Sequence, residues 1–113
     1  MTDLKRLLDN LIQLTKSGKI KWRSDVGYNP SKFFLSTPSF RIVISSRNDE
    51  PNEFIIRDEE GNIMEYISIT READSNTRNM LLALIREINQ KIEEKRKISL
   101  DKLIGEVVQL GNK

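Results

Sequence analysis

The chain has no cysteine and no histidine among its 113 residues. Their absence excludes disulfide bonds, thiol nucleophiles, imidazole acid/base catalysis and metal sites built on these residue types. Long hydrophobic runs are also missing, since the longest, residues 80–85, is far too short to span a bilayer. The first ten residues mix charged side chains into a leucine pattern, unlike a signal peptide. We therefore expect a cytoplasmic protein that makes no membrane contact.

Glycine is scarce as well, with five in the chain. None of them belongs to a glycine-rich phosphate loop or to a nucleophile elbow. A carboxylate-rich stretch at residues 58–62 lacks the alternating spacing of a calcium loop and is more typical of a solvated turn. The sequence accordingly predicts no catalytic, cofactor-binding or metal-binding residues, no cofactor, and a protein that is not an enzyme.

The overall composition is that of a folded domain. With 37% hydrophobic and 32% charged residues, the chain is too apolar for a disordered tail and too charged for a membrane protein. Its length suffices for one hydrophobic core but not for two. We predict a single domain over residues 1–113.

Three segments show helical periodicity. Apolar residues recur at i, i+3, i+4 and i+7 over residues 3–16, and Gly18 follows where a left-handed helix cap belongs. A second apolar stripe predicts a helix over about residues 75–95. Ser99 resembles a new N-cap, which predicts a third helix over residues 99–111.

Between these helices, alternation of apolar and polar residues predicts strands at residues 40–45, 53–58 and 63–70, joined by short turns. Residues 19–23 are interpreted as a further short strand, and residues 32–36 have strand character. The predicted fold is α+β: an antiparallel β-meander of three to five strands, with one N-terminal and two C-terminal helices packed on one face.

Charge is distributed unevenly along the chain. Residues 15–47 carry seven basic residues against Asp25 alone, a net charge of +6, whereas residues 48–75 carry nine carboxylates and two arginines, a net charge of −7. Alternation over the predicted strand at 19–23 places three cations on one side: Lys19, Lys21 and Arg23. They are interpreted as a surface for an acidic protein or a polyanion, or else as protection of a sheet edge. Trp22 faces the other way, as a core anchor or, alternatively, as a ligand-stacking residue.

The second face of the predicted sheet is the most informative feature. One face takes the apolar residues expected to pack against the helices: Phe40, Ile42, Ile44, Phe54 and Ile56. The other face receives a mixture of aromatic, aliphatic, methionine and arginine residues: Arg41, Val43, Ile55, Arg57, Met64 and Tyr66. This mixture is typical of a protein interface core. The alternative is ordinary scattered apolar surface, or a face closed by a loop through Phe33 and Phe34.

Three stretches carry a resemblance to known proteins: LDNLIQLTKSGKIKW at residues 8–22, DEEGN at residues 58–62 and ISLDKLIGEVVQL at residues 98–110. The shared pattern is a leading helix, a lysine-flanked Trp strand, an EEGN-type hairpin and a terminal helix pair. In this pattern the chain resembles small stand-alone bacterial or phage α+β proteins of unassigned function. The resemblance covers most of the chain. It implies a bacterial or phage cytoplasmic origin and no obvious enzyme site, and it assigns no functional residue.

These observations favour a non-enzymatic protein-binding module that acts by protein–protein contact, as an immunity, defence or anti-defence factor. The alternative is a nucleic-acid-associated protein that uses the basic segment, residues 16–47. The expected partner is a protein, and a homodimer stays open. The predicted partner-binding residues are Lys19, Lys21, Arg23, Arg41, Val43, Ile55, Arg57, Met64 and Tyr66.

Overall fold

The computed structural model describes residues 2–25, 31–47, 50–68 and 74–112. Along these parts of the chain the elements are α1 (Thr2–Lys16), β1 (Arg23–Asp25), β2 (Ser31–Ser36), β3 (Phe40–Arg47), β4 (Glu50–Asp58), β5 (Ile63–Ser68) and α2 (Ser75–Gly111). The α+β class and the antiparallel sheet are confirmed. Residues 69–70 of the predicted strand 63–70 lie outside the described residues.

Each strand pairs antiparallel with the next, so the sheet order is β1-β2-β3-β4-β5. Short turns explain this meander, because a strand that follows a short turn can pair only with the strand before it. At the turn between β4 and β5, Gly61 has φ of +86°, which disfavours any residue with a side chain. Asp58 Oδ1 accepts hydrogen bonds from the backbone N–H groups of Glu60 and Asn62, each at 2.9 Å. This carboxylate therefore closes the hairpin.

Helix α1 follows its predicted apolar stripe and ends where glycine was expected to cap it. Gly18 has φ of +77°, and its backbone N–H donates to the Thr15 carbonyl at 3.1 Å. Leu8 and Leu11 are buried, whereas the residues between them are exposed. Packing of this stripe, more than helix propensity, holds a helix of 15 residues in place.

The core lies between one face of the sheet and the two helices. Pairing aligns four residues across β2 to β5, namely Phe33, Ile44, Phe54 and Ile67. The complete buried hydrophobic cluster of the described residues is Leu8, Leu11, Phe33, Ile42, Ile44, Phe54, Ile67, Leu81, Leu84, Ile85 and Ile88. Phe40 was expected in this core and is instead 41% exposed. It lies at the first position of β3, before the two buried isoleucines of that strand, so the expectation for Phe40 is wrong.

The prediction of two C-terminal helices is wrong, because one helix of 37 residues runs through the expected break. Residues 93–97 are Glu-Glu-Lys-Arg-Lys, all good helix formers, and no glycine or proline precedes Gly105 within the helix. Two ion pairs stabilise the same stretch, and in each the partners are three residues apart: Lys91–Glu94 at 3.8 Å and Arg96–Glu93 at 3.1 Å. A serine that resembles an N-cap does not end a helix that lacks a breaker.

The C-terminal half of α2 does not pack on the sheet as predicted. Ile92 is the last residue of the helix that packs against the core, and residues 93–112 are all exposed. The molecule measures 60 × 29 × 26 Å along its principal axes, so it is about twice as long as it is wide. We call residues 93–112 the α2 extension.

Residues 19–22 are not a strand, and this prediction is also wrong. The backbone N–H groups of Lys19 and Ile20 both donate to the Leu14 carbonyl, at 3.0 and 3.3 Å. The segment therefore wraps the end of α1, and pairing with β2 begins only at Arg23. The inward direction of Ile20 and Trp22 is nevertheless as expected, since both pack against the core cluster.

Lowering the pH is expected to weaken the start of α2 through its N-cap, Asp74. The backbone N–H of Thr77 donates to Asp74 Oδ1 at 2.7 Å, and this bond lowers the pKa of Asp74 below its ordinary value of 3.8. A carboxyl with a lowered pKa stabilises the fold above its unfolded pKa, and the contribution is lost as pH falls through the folded pKa.

Asp74→Asn keeps a capping acceptor without the charge. Between about pH 4 and about pH 2, the melting temperature of the wild type should therefore fall more than that of the variant, as measured by circular dichroism. Parallel pH profiles would show that the charge of Asp74 contributes nothing to stability.

Candidate protein-binding site

The sheet face that points away from α1 and α2 carries most of the predicted partner-binding residues, and we call it the outer face. Strand pairing aligns Arg23 with Phe34, Phe34 with Val43, Val43 with Ile55, and Ile55 with Tyr66. Directly opposed residues of neighbouring strands point to the same face and lie about 5 Å apart. These five residues therefore form one continuous row across the sheet, the cross-strand row.

The row is partly open to solvent. Phe34, Val43 and Ile55 are half-buried, and Tyr66 is 44% exposed. Met64, two residues before Tyr66 on the same strand, is 55% exposed. An apolar strip of this kind on an otherwise charged protein is a feature of binding surfaces more than of random surface.

Arg41 and Arg57 lie beside the row, directly opposite each other on β3 and β4. Like charges in opposed positions destabilise a sheet, so their pairing has no benefit to the fold alone. Arg57 Nη1 donates to the Gly61 carbonyl at 3.0 Å, and Arg41 is exposed. Within the described ranges the ion pairs at 4 Å or less are both on α2, so neither arginine is neutralised there by a carboxylate.

One carboxylate also belongs to the outer face. The Tyr66 hydroxyl donates a hydrogen bond to Glu53 Oε2, and Glu53 pairs with Ser45 in the next row of the sheet. Ser45 is only 4% exposed. The solvent-exposed part of the outer face therefore does not include the centre of the row that contains Ser45 and Glu53. The exposed area consequently runs from the cross-strand row towards Arg41, Arg57 and Met64.

The three predicted cations of residues 19–23 do not form one row. Arg23 is an exposed residue of β1 and begins the cross-strand row. Lys19 and Lys21 are exposed on the irregular segment that wraps the end of α1. The structure thus brings together Arg23, Arg41, Val43, Ile55, Arg57, Met64 and Tyr66, and it separates Lys19 and Lys21 from them.

Phe34 and Glu53 belong to the outer face but are not among the predicted partner-binding residues. Phe34 lies within residues 32–36, whose strand character is predicted, and only the alternative interpretation places it in a loop. Glu53 was counted only as part of the acidic stretch, and its position follows from the β3–β4 pairing, which composition does not show. Both now belong to the site, Phe34 in the row and Glu53 beside it.

Trp22 lies elsewhere, against the end of α1. Its indole Nε1 donates to Thr15 Oγ1 at 2.9 Å, and that hydroxyl donates to the Leu11 carbonyl at 2.7 Å. Thr15 is buried, and Trp22, which was expected to be largely buried, is half-buried. Because its polar atom is satisfied and its ring packs on the core, the structure favours a core anchor over a ligand-stacking role.

An open groove of about 510 Å³ lies between the segment around Trp22 and the middle of α2. Its apolar lining comes from Ile20, Trp22, Ile88, Ile92 and Ile98. Its charged lining residues are Lys21, Lys91, Glu94 and Lys95. The groove marks the place where α2 leaves the body of the protein.

Among the residues that the structure describes, no group of three or more His, Cys, Asp or Glu side chains is placed to hold a metal ion. A search of the same residues found no helix with both the length and the apolar character needed to cross a membrane.

Comparison of the chain with models of protein families, with curated proteins and with solved structures finds no match.

Proposed function

We propose that this protein is a non-enzymatic protein-binding module, and that it contacts an acidic partner protein through the outer face. The observation that carries the proposal is the cross-strand row, in which pairing aligns Phe34, Val43, Ile55 and Tyr66 into one apolar strip. Aromatic, methionine and arginine residues are enriched in interface cores, and here they occur together.

Charge complementarity indicates the chemistry of the partner. Arg23 is exposed at one end of the row, and Arg41 and Arg57 flank its centre. A partner that presents carboxylates around an apolar centre would neutralise these guanidinium groups, and Arg forms bidentate hydrogen bonds with carboxylates. Attraction of this kind mainly accelerates association and selects the partner.

The size of the face is compatible with such an interface. A stable interface buries about 800 Å² on each partner, which the apolar strip alone does not supply. The flanking arginines, Met64 and Glu53 would form the remaining rim. In keeping with the resemblance of residues 8–22, 58–62 and 98–110, we place this activity in the cytoplasm of a bacterium or an infected host cell, where the protein serves as an immunity, defence or anti-defence factor by covering a partner's surface.

Tyr66→Asp is expected to weaken partner binding by about tenfold or more, because it places a carboxylate at the end of the apolar strip and facing an acidic partner. Phe40→Asp is the matched control. Phe40 is an aromatic residue of the same sheet with nearly the same exposure, 41% against 44%, and it belongs to the other face. The partner would be captured from the native host with a photo-cross-linking residue at position 66, and its affinity for each purified variant measured by calorimetry.

Both variants should keep the melting temperature of the wild type within a few degrees, since neither side chain is buried. If Tyr66→Asp lowers it further, Arg41→Glu tests the same face from an exposed position. Equal loss of affinity in the Tyr66 and Phe40 variants, or full affinity in folded Tyr66→Asp and Arg41→Glu, would contradict the proposal.

A nucleic-acid-associated protein is the second candidate, and one observation favours it. Phe34 lies directly opposite Arg23, so an aromatic ring and a cation share the outer face, a combination that binds stacked bases. Against it, the centre of the row is aliphatic, formed by Val43 and Ile55, whereas bases stack on aromatic rings. Titration with a mixed-sequence single-stranded oligonucleotide separates the two candidates. Binding that weakens steeply with salt and is lost in Phe34→Ala would establish the nucleic-acid function.

A further inference from the structure

We infer that the α2 extension is a dimerisation helix, which pairs antiparallel with the same segment of a second copy of this chain. The inference is independent of the outer face and of the function proposed for it. Its starting point is a helix that continues for about 28 Å beyond the last residue packed on the core, at 1.5 Å for each residue.

The extension is amphipathic. Leu100, Leu103, Val107 and Leu110 follow the alternating spacing of three and four residues that lines one side of a helix. Ile104 and Val108 widen this stripe on one side, and the six side chains are between 42% and 67% exposed. Asp101, Lys102, Glu106 and Gln109 occupy the other side. A helix that stayed in water along its whole surface would need no apolar stripe, and most helical stability in proteins comes from packing of such a face.

The area of the stripe matches what a dimer needs. At these exposures each aliphatic side chain presents on the order of 100 Å², so the six together present roughly 600 Å². A stable interface buries about 800 Å² on each partner. The aliphatic stems of the residues that flank the stripe can supply the difference.

Charge argues for a second copy over other occupants. The polar side of the stripe carries one lysine and two carboxylates, Lys102, Asp101 and Glu106. Helices that lie on anionic membranes carry several lysines or arginines there, and a strongly charged partner would find no complementary charge. A second copy presents an apolar stripe of the same width, and its charges neither strongly attract nor strongly repel those of the first copy.

The shape of the molecule favours the antiparallel arrangement. The body is 26 to 29 Å across, whereas paired helices lie 8–10 Å apart, so in a parallel pair the two bodies would lie at the same level and crowd each other. With Leu100 opposite the partner's Leu110, and Leu103 opposite the partner's Val107, the bodies lie at opposite ends. Asn112 then reaches the level of the partner's Ile98, beyond the last packed residue of the body.

Light scattering of the wild type at roughly 100 µM, where even a micromolar dimer is populated, should give twice the chain mass of 13.1 kDa. Val107→Asp places a charge in the centre of the stripe and should give the mass of one chain. Gln109→Asp adds the same charge on the polar side of the next turn and should leave the dimer intact. Circular dichroism would show that both variants keep the fold, because the extension lies outside the core.

The absence of cysteine from the chain allows a direct test of orientation. A mixture of Leu100→Cys and Leu110→Cys proteins should form a mixed disulfide on oxidation, while neither protein alone should cross-link efficiently. A self-disulfide of Leu100→Cys would overturn the antiparallel arrangement. A wild-type mass of one chain, a dimer that survives Val107→Asp, or sedimentation of monomer with vesicles of phosphatidylcholine and phosphatidylglycerol would overturn the dimerisation helix.

Discussion

Replacing Phe54 by alanine is expected to lower the free energy of unfolding by about 3–5 kcal/mol, the range for large aromatic side chains in cores. Phe54 is fully buried in β4, with Ile44 opposite it on β3 and Ile67 opposite it on β5. Its neighbours in the sheet cannot collapse into the cavity without breaking their pairing, so the cost should fall in the upper part of the range. Urea unfolding followed by circular dichroism measures it.

Phe40→Ala is the matched control for Phe54→Ala. It removes the same atoms from the same sheet, from a side chain that is 41% exposed, and should cost about 1 kcal/mol or less. A Phe54→Ala protein that unfolds at the same urea concentration as Phe40→Ala would contradict the position of the core between the sheet and the helices.

Replacing Trp22 by alanine is expected to cost about 3 kcal/mol, the lower end of the range for large aromatic residues, because the ring is only half-buried. Most of this loss should come from packing of the ring on the core cluster. A smaller part comes from the hydrogen bond between Trp22 Nε1 and Thr15 Oγ1. Thermal and urea unfolding would report the sum.

Thr15→Val separates the two contributions to the Trp22 effect. Valine keeps the shape of threonine and removes the hydroxyl that accepts from the indole, so this variant should lose only about 1 kcal/mol. An unchanged melting temperature in Trp22→Ala would mean that the ring does not anchor the core, and the alternative of a ligand-stacking residue would then be favoured.

The local sequence pattern was sufficient to predict α1 and the three central strands. The leucine stripe of α1 and Gly18 after it are signals within a few residues of one another, and the structure confirms both. The strands β3, β4 and β5 are rich in β-branched and aromatic residues. Short turns join them, which explains their order and antiparallel direction.

The errors lie where local signals compete or where the outcome depends on distant contacts. Alternation over residues 19–23 has the period of a strand, but two backbone N–H groups there are held by the Leu14 carbonyl at the end of α1. Ser99 resembles an N-cap, but the helix continues through it. The residues before Ser99 are good helix formers and include the Glu93–Arg96 ion pair. Whether the apolar residues after Ser99 pack on their own sheet or elsewhere is decided by geometry, which periodicity does not contain.

The candidate site shows the same division. Val43, Ile55 and Tyr66 were predicted to become neighbours, and the pairing of β3, β4 and β5 confirms that they are. Phe34 was not placed beside them, although only residues 37–39 separate β2 from β3, because the periodicity of a segment does not fix its register with the next strand. Periodicity identifies which residues share a face of one strand. Only strand pairing decides which residues of neighbouring strands lie beside each other.

The most direct test of the protein-binding proposal is a methyl-resolved NMR titration of this chain with its captured partner. Ile42 and Ile44 alternate with Val43 in β3 and face the core, so they are internal controls for the outer face. We expect the methyl signals of Val43, Ile55 and Met64 to shift or broaden, while those of Ile42 and Ile44 stay in place. Changes confined to other surfaces, with the methyl signals of Val43, Ile55 and Met64 unchanged at saturation, would contradict it.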